Sequence, residues 1–269
     1  MQSVCWDLAK EFSKQGHEVH ILTTALKSGN VTETIRQDGV QVVFLSETKP
    51  ESYYGGWWQM SRKHCLQHYT GSADLVISVS AAAASMLQDR AAYQRHPYFV
   101  FQAHGTSVGE IKSKLASGNL VSWLKSIKNF YWLFKDIVLY SKFDKVVAVG
   151  DAVARTLLAQ PLRTFLPRSR VTTILNGVDV RTFSYSSALR KSERAALGYA
   201  DSDRVVVFLA RLHEQKGCKQ AVQGFLHLLS TLHQPNRSSW KMLVVGNGEE
   251  FDNLTEIIRT SGAARQIQL

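Results

Sequence analysis

The stretch from residue 204 to residue 229 restricts the folds open to this chain, because it joins a buried strand to an amphipathic helix through one short polar turn. Val205 to Leu209 is a continuous apolar run rich in β-branched residues, which is typical of a strand buried on both faces of a parallel sheet. After Gly217, apolar residues recur at the spacing of one helix face. These residues are Ala221, Val222, Phe225, Leu228 and Leu229. The order of strand, turn and helix predicts an α/β fold.

Two cations, Arg211 and Lys216, lie on this turn. In an open α/β sheet, ligands bind beyond the carboxyl ends of the strands, where a helix N-terminus offers unpaired N–H groups and a positive dipole to an anion. The turn is therefore a candidate diphosphate site. An ordinary loop with two solvated cations is the alternative interpretation.

The turn resembles the donor-site motif of retaining GT-B glycosyltransferases of family four, also called group 1. That motif reads Gly or Ala, Arg and Leu, then three residues, then Lys-Gly. The matching residues are Ala210, Arg211, Leu212, Lys216 and Gly217. The resemblance implies that Arg211 and Lys216 bind the diphosphate of a nucleotide sugar and act in catalysis, with Gly217 in the same binding site.

A second motif follows the next predicted strand, Trp240 to Val245. The sequence there is Gly-Asn-Gly-Glu, and it resembles the Gly-Asp-Gly of the same family. A lone Gly-x-Gly is a weak signal, but its position after the Arg/Lys turn makes it useful. The resemblance therefore places Gly246 and Gly248 in the donor site.

The N-terminal part of the chain also resembles this family. Residues 8–24 are similar to the first helix and second strand of its N-terminal domain, and Asn176-Gly177-Val178-Asp179, with Phe183, is similar to the segment between its domains. Apolar runs predict further strands at 19–23, 40–45, 74–79, 97–103, 146–149 and 171–175. The family's first strand and glycine-rich loop would precede residue 2, and its later motif of two glutamates has no counterpart, so we expect a chain truncated at both ends.

The predicted fold class is α/β, with two Rossmann-like domains of the GT-B type and an incomplete second domain. Residues 1–184 are predicted to form the N-terminal, acceptor-side domain without its first strand. Residues 185–269 are predicted to form part of the C-terminal domain, which binds the nucleotide sugar.

His104 follows the strand predicted from Pro97 to Ala103, and Gly105 and Thr106 come next. Family members often carry a His-Gly pair at this point, and the resemblance implies that His104 contacts the donor sugar and its phosphate as a catalytic residue. A histidine held structurally by backbone groups is the alternative. The position at the carboxyl end of a strand, before a permissive glycine, favours the functional interpretation.

The formal net charge of +10 implies an acidic partner, such as nucleic acid, an anionic membrane surface or a phosphorylated small molecule. Residues 112–142 combine six lysines with aromatic residues, as helices at an anionic bilayer surface do. A helix packed on the domain with solvated lysines is an equal alternative. Without a signal peptide or a run of eighteen apolar residues, we expect a cytoplasmic protein, peripheral to the inner face of the cytoplasmic membrane if residues 112–142 bind it.

The function implied by the resemblance is transfer of a sugar, with retention, from a nucleotide sugar to a glycan or lipid-linked acceptor in cell-surface polysaccharide or glycolipid biosynthesis. Neither a metal nor another cofactor is expected. Asp201-Ser202-Asp203 matches the metal-binding Asp-x-Asp motif, but it precedes a strand and so lies at the amino edge of the sheet. Two alternatives stay open, an inactive glycosyltransferase fragment and a basic nucleic-acid-binding module. We expect no nucleic acid, because the sequence has no helix-turn-helix, zinc or RNA-binding signature.

Overall fold

The structure, a computed structural model, consists of two compact units, Met1–Val178 and Asp179–Leu269. The residues that it describes are 2–26, 31–109, 111, 135–233 and 236–269. The sequence predicted a slightly later division, between residues 184 and 185. Both units alternate helices with parallel strands, in agreement with the predicted α/β class.

Unit 1 contains two sheets. The strands of the first are β1 (Val19–Thr24), β2 (Glu33–Gln37) and β3 (Val40–Leu45). They lie in the order β1-β3-β2, with β1 parallel and β2 antiparallel to β3. The strands of the second are β4 (Leu75–Val79), β5 (Tyr98–Ala103), β6 (Lys145–Ala148) and β7 (Val171–Thr173). They are all parallel and lie in that order.

Among the helices that pack beside these sheets in unit 1 are α1 (Gln2–Lys14), α2 (Gly56–His68) and α3 (Asp151–Leu157). In α2, Trp57 is buried against Val43 and Leu45 of the first sheet. Its indole Nε1 donates a hydrogen bond of 2.8 Å to the carbonyl of Ala82, just beyond β4 of the second sheet. Cys65 of α2 is buried in the core of that second sheet. Helix α2 therefore holds the two sheets side by side.

Unit 2 is a three-stranded parallel sheet with helices. Its strands are β8 (Arg204–Leu209), β9 (Trp240–Val245) and β10 (Ile267–Gln268), in the order β10-β9-β8. Its helices are α4 (Ser187–Ala196), α5 (Cys218–Thr231) and α6 (Phe251–Thr260). The core contains buried side chains from the sheet, from α5 and from α6, among them Leu212, Val222, Phe225, Met242 and Leu254.

The expectation that β8 is buried on both faces is wrong. Phe208 packs against the core of the unit. Val207 is 58% exposed and Leu209 75% exposed. Successive residues of a strand point to opposite faces, so one face of β8 meets the core while the opposite face is uncovered by the residues that the structure describes.

No helix within the described residues is both long enough and apolar enough to cross a membrane. Most of the lysine-rich stretch, residues 112–134, lies outside the described residues. Its contact with an anionic membrane surface therefore stays a prediction.

An ion pair ties α2 to the 3₁₀ segment Ala84–Ala92. Arg62 donates from Nε to Asp89 Oδ2 at 2.5 Å and from Nη2 to Oδ1 at 2.7 Å. These hydrogen bonds hold the pKa of the Asp89 carboxyl below its usual range. The stabilisation by this ion pair is thus fully present above the pKa of about 3.9 that an aspartate has in the unfolded chain. It is lost as the pH falls through the lower pKa of Asp89 in the folded protein.

We expect Asp89→Asn to lower the free energy of unfolding by about 1 kcal/mol at pH 7. The difference from the unsubstituted protein should disappear in acid, where the carboxyl is protonated in both states. Asp74→Asn is the matched control, because Asp74 forms an ion pair with Arg95 in which both side chains are more than half exposed, and it should cost only a few tenths of a kcal/mol. Urea unfolding at several pH values measures the free energy of unfolding of both variants. Equal losses of this free energy at pH 7 would contradict the prediction.

Candidate functional site

The turn that follows β8 is anchored by its own backbone and by one buried side chain. Leu212 is 0% exposed and lies in the core of unit 2. The amide N–H of Ala210 donates to the carbonyl of Val245 at 3.2 Å, which extends the β8–β9 ladder into the turn. Arg211 lies between these two anchored residues, and its side chain is exposed. The backbone of Arg211, which carries the guanidinium group, is therefore held in place by the residues on both sides of it.

The loop after β9 packs directly on this turn, backbone against backbone. Leu212 donates its N–H to the carbonyl of Asn247 at 3.0 Å and accepts from the N–H of Glu250 at 3.0 Å. A Cβ atom at Gly246 would stand 1.9 Å from the carbonyl oxygen of Ala210, and one at Gly248 would stand 2.3 Å from that of Leu212. Only glycine allows this approach. The two glycines thus join the Arg/Lys turn to the carboxyl end of β9.

Helix α5 begins at this turn with an open N-terminus. Gly217 precedes it with φ at +70°, a left-handed conformation that suits glycine. No side chain caps the N-terminus, and the first turn contains no acidic residue. The unpaired N–H groups and the positive end of the helix dipole are the features that bind anions.

Arg211 and Lys216 flank this helix start, and both side chains are exposed. Neither forms an ion pair with an acidic side chain in the part of the chain that the structure describes. Two free cations and an uncapped helix N-terminus at the carboxyl end of a parallel strand can together bind a diphosphate.

One residue pair in this site was not predicted from the sequence. His213 accepts the N–H of Gln215 at its Nδ1, with a separation of 3.2 Å, and its Nε2 lies 3.3 Å from Oε1 of Glu249. His213 thereby connects the turn after β8 with the loop after β9. The pairing depends on how the two strands align, and no sequence motif signals it.

Asp201 and Asp203 lie before β8, at the end of the strand opposite to Arg211. The carboxylate of Asp203 accepts the N–H of Ala200 at 2.8 Å and so closes a turn, while Asp201 contacts Arg190 at 3.5 Å. Within the described residues, no group of three or more His, Cys, Asp or Glu side chains is arranged to hold a metal ion.

His104 belongs to unit 1 and follows β5 directly. Its Nε2 is buried and has no hydrogen-bond partner among the described residues, and burial lowers the pKa of its imidazole. Just beyond it, the hydroxyl of Thr106 accepts the N–H of Gly109 at 3.0 Å and donates to the Thr156 hydroxyl at 3.1 Å. His104 thus lies at the carboxyl end of the sheet, next to the exposed Gly105, and the lowered pKa of its imidazole favours the uncharged form.

Comparison with known families and structures gives a consistent result. The family model described as Glycosyltransferase Family 4 matches residues 1–182. Sucrose-phosphate synthase from Thermosynechococcus elongatus superposes with a TM-score of 0.67 at 14% identity, over 97% of this chain and 62% of that one. WaaG, a glycosyltransferase involved in lipopolysaccharide biosynthesis, superposes with a TM-score of 0.67 at 12% identity, over 99% of this chain and 65% of that one.

Anabaena HepE, solved in complex with UDP and glucose, gives a TM-score of 0.60 at 16% identity, over 86% of this chain and 56% of that one. The chain therefore spans between 56% and 65% of the length of these three proteins. No curated protein matches it. At such low identities the likeness concerns the fold, and it confirms the predicted α/β class with Rossmann-like units of the GT-B type.

We expect Gly246→Ala to destabilise unit 2 by about 1–3 kcal/mol, because the added methyl group must displace the carbonyl of Ala210. Gly224→Ala is the matched control. Gly224 lies within α5 and has open space where its Cβ would stand, so alanine there should stabilise the helix by about 0.5–1 kcal/mol. Thermal unfolding followed by circular dichroism distinguishes the two. A Gly246→Ala protein as stable as the unsubstituted one would contradict the backbone packing described above.

Proposed function

Because this chain belongs to glycosyltransferase family 4, we propose that it binds a nucleotide sugar at the Arg211/Lys216 turn and serves the transfer of the sugar, with retention, to a glycan or lipid-linked acceptor. The proposed context is cell-surface polysaccharide or glycolipid biosynthesis. In this proposal the protein acts in the cytoplasm, and residues 112–142 bind it to the inner face of the cytoplasmic membrane. Two of the similar proteins support this context, since WaaG is involved in lipopolysaccharide biosynthesis and HepE is complexed with UDP and glucose.

The observation that carries the proposal is the set of anion-binding groups at one turn of unit 2. Arg211 and Lys216 have no acidic partner among the described residues, and they flank the uncapped N-terminus of α5. The Gly246–Gly248 loop brings a second backbone against the turn, without side chains in between. A diphosphate is the part of a nucleotide sugar that these groups match in charge and hydrogen-bonding capacity.

In the proposed reaction, the bond between the anomeric carbon and the diphosphate oxygen breaks, and the nucleoside diphosphate leaves with the electron pair. Arg211 donates forked, charge-assisted hydrogen bonds to the phosphate oxygens, and Lys216 acts as a point charge. The acceptor hydroxyl then bonds to the anomeric carbon on the face that the diphosphate leaves, and its proton passes to a phosphate oxygen of the leaving group. Such fixed cations stabilise the charge that develops as the bond breaks.

We further propose that His104 contacts the donor sugar. Its neutral imidazole can donate a hydrogen bond to a sugar hydroxyl or a phosphate oxygen without adding charge. In the same proposal, the backbone around the diphosphate is shaped by Gly217, Gly246 and Gly248. Arg211, Lys216 and His104 are the residues assigned to catalysis.

We expect Arg211→Ala and Lys216→Ala each to weaken nucleotide-sugar binding by about tenfold or more, because each removes a charge-assisted contact worth roughly 1.5–3 kcal/mol. Isothermal titration with UDP-glucose, ADP-glucose and GDP-mannose measures this. The loss should be similar for every donor that binds, since the diphosphate is common to all three.

Lys191→Ala is the matched control, because Lys191 is an exposed cation of unit 2 on α4, away from the turn. It should leave binding unchanged. Equal binding by the Arg211→Ala, Lys216→Ala and unsubstituted proteins would exclude the turn as the donor site. A uniform loss in all three variants would instead indicate non-specific attraction by the net positive charge.

We also propose that no metal ion takes part in donor binding, since Arg211 and Lys216 of the turn supply the positive charge. UDP-glucose affinity should therefore stay within about threefold when EDTA is added, and manganese should not raise it beyond that range. The same titration at constant ionic strength tests this. Loss of binding in EDTA with recovery in manganese would show that a metal bridges the diphosphate.

A further inference from the structure

Three histidines and one tyrosine lie together at the C-terminal end of α2 in unit 1. His64 and His68 belong to the helix itself, which ends at His68. Tyr69 directly follows the helix, and His20 belongs to β1. The ring centroid of Tyr69 lies 5.2 Å from that of His20 and 5.7 Å from that of His64. None of these side chains has a role in the proposed function.

His64 and His68 form a pair on one face of α2, because they are four residues apart in the helix. Two helical histidines at this spacing are an established zinc-binding arrangement. Their ring centroids are 4.4 Å apart, and the two rings are tilted by 40°. Two imidazoles bound to one ion through nitrogen–metal bonds of about 2.0–2.1 Å would have their centroids about 4.5–5 Å apart. The two rings therefore have nearly the separation that a shared ion requires.

The ring nitrogens of this pair are free to act as ligands. Neither His64 nor His68 forms a hydrogen bond or an ion pair within the part of the chain that the structure describes. His20 differs from them, because its Nδ1 lies 2.8 Å from the Tyr69 hydroxyl and its Nε2 lies 3.0 Å from Oε1 of Glu18. Both nitrogens of His20 are thus engaged. This agrees with the finding that no three-residue metal site exists among the described residues.

The surroundings of the pair favour a bound cation. A helix C-terminus carries unpaired carbonyl groups and the negative end of the helix dipole, so it attracts positive charge. Burial lowers the pKa of His64, and the positive charges that His68 and His20 can carry lower that pKa further. Because an imidazole binds a metal ion in its neutral form, the lowered pKa keeps His64 available as a ligand near pH 7.

We propose that His64 and His68 chelate one divalent late transition-metal ion, such as Zn²⁺ or Cu²⁺, through one imidazole nitrogen each, with water completing the coordination. Imidazole suits zinc and copper, whereas Mg²⁺ and Ca²⁺ prefer oxygen ligands. The Irving–Williams order predicts that Cu²⁺ binds more tightly than Zn²⁺ at the same site. His68 is exposed, so an ion can reach the pair from solvent.

A bound ion would hold the end of α2 where this helix meets both sheets of unit 1. The hydroxyl of Tyr69 contacts His20 of β1, and its carbonyl accepts the N–H of Ala73, just before β4, at 3.1 Å. Only the folded helix keeps the two imidazoles of the pair at this separation, so the ion should stabilise the folded state by mass action. The site is separate from the donor turn of unit 2, and the proposal does not depend on the proposed function.

Isothermal titration of the whole chain, first freed of metal with EDTA and then dialysed, tests the proposal with ZnCl₂, CuCl₂ and MgCl₂. We expect one Zn²⁺ or one Cu²⁺ per chain, tighter binding of Cu²⁺, and no binding of Mg²⁺. His64→Ala and His68→Ala should each weaken Zn²⁺ binding at least about tenfold, because the second imidazole binds intramolecularly once the first holds the ion.

His227→Ala is the matched control. His227 is also an exposed helical histidine, on α5, but no histidine lies four residues before or after it. This variant should bind Zn²⁺ as the unsubstituted protein does. An equal loss of affinity in all three variants would show that scattered surface histidines bind the ion, and it would overturn the proposal.

Thermal unfolding and hydrogen exchange followed by mass spectrometry locate the ion. Zn²⁺ should raise the Tm of the unsubstituted protein and slow amide exchange in residues 56–69, and both effects should be lost in the His64→Ala and His68→Ala proteins. Circular dichroism without metal checks that the variants fold. His68→Ala changes an exposed residue at the end of the helix, so it keeps the test decisive if His64→Ala fails to fold. Absence of Zn²⁺ and Cu²⁺ binding, or equal binding by the unsubstituted and His68→Ala proteins, would overturn the proposal.

Discussion

The direct contact between two loop backbones in unit 2 is the constraint on which the candidate site depends. Leu212 is buried, and its N–H and C=O groups both bond to the loop after β9. Because Gly246 and Gly248 carry no side chains, the turn and the loop meet at a separation that any Cβ atom would prevent. The starting point of α5 and the backbone of Arg211 are thereby fixed to the end of β9. An anion site requires such rigidity, since N–H groups and cations act on a phosphate only within hydrogen-bond distance.

Much of unit 2 could be predicted from the sequence, because its signals are local. The apolar runs at β8 and β9, the helical spacing after Gly217 and the two glycine motifs each occupy a few consecutive residues. The exposure of Val207 and Leu209 could not be predicted in the same way. An unbroken apolar run has no period, so it does not reveal whether one face or both are covered. The His213–Glu249 contact was also missed, since it depends on the alignment of two strands.

Unit 1 shows the same limit at the level of sheets. Its strands β1, β3, β4, β5, β6 and β7 were predicted from apolar runs, whereas β2 was not, because Glu33–Gln37 is exposed throughout and polar in most positions. Pairing with β3 makes it a strand. The division into two sheets was likewise absent from the prediction. The arrangement of the two sheets beside α2 depends on contacts such as those of Trp57 and Tyr69, which join residues far apart in the sequence.

The acidic residues of the two loops at this site leave Arg211 and Lys216 without an ion pair among the described residues. These acidic residues include Glu214 on the turn after β8 and Glu249 on the loop after β9. The N–H of Gln215 donates to Nδ1 of His213, and Nε2 of the same ring lies 3.3 Å from Oε1 of Glu249. The Glu249 carboxylate therefore contacts His213, whereas neither Arg211 nor Lys216 forms an ion pair with it in the part of the chain that the structure describes. A carboxylate free to pair with those cations would have to be displaced before any phosphate could bind, and each displaced pair would subtract from the affinity.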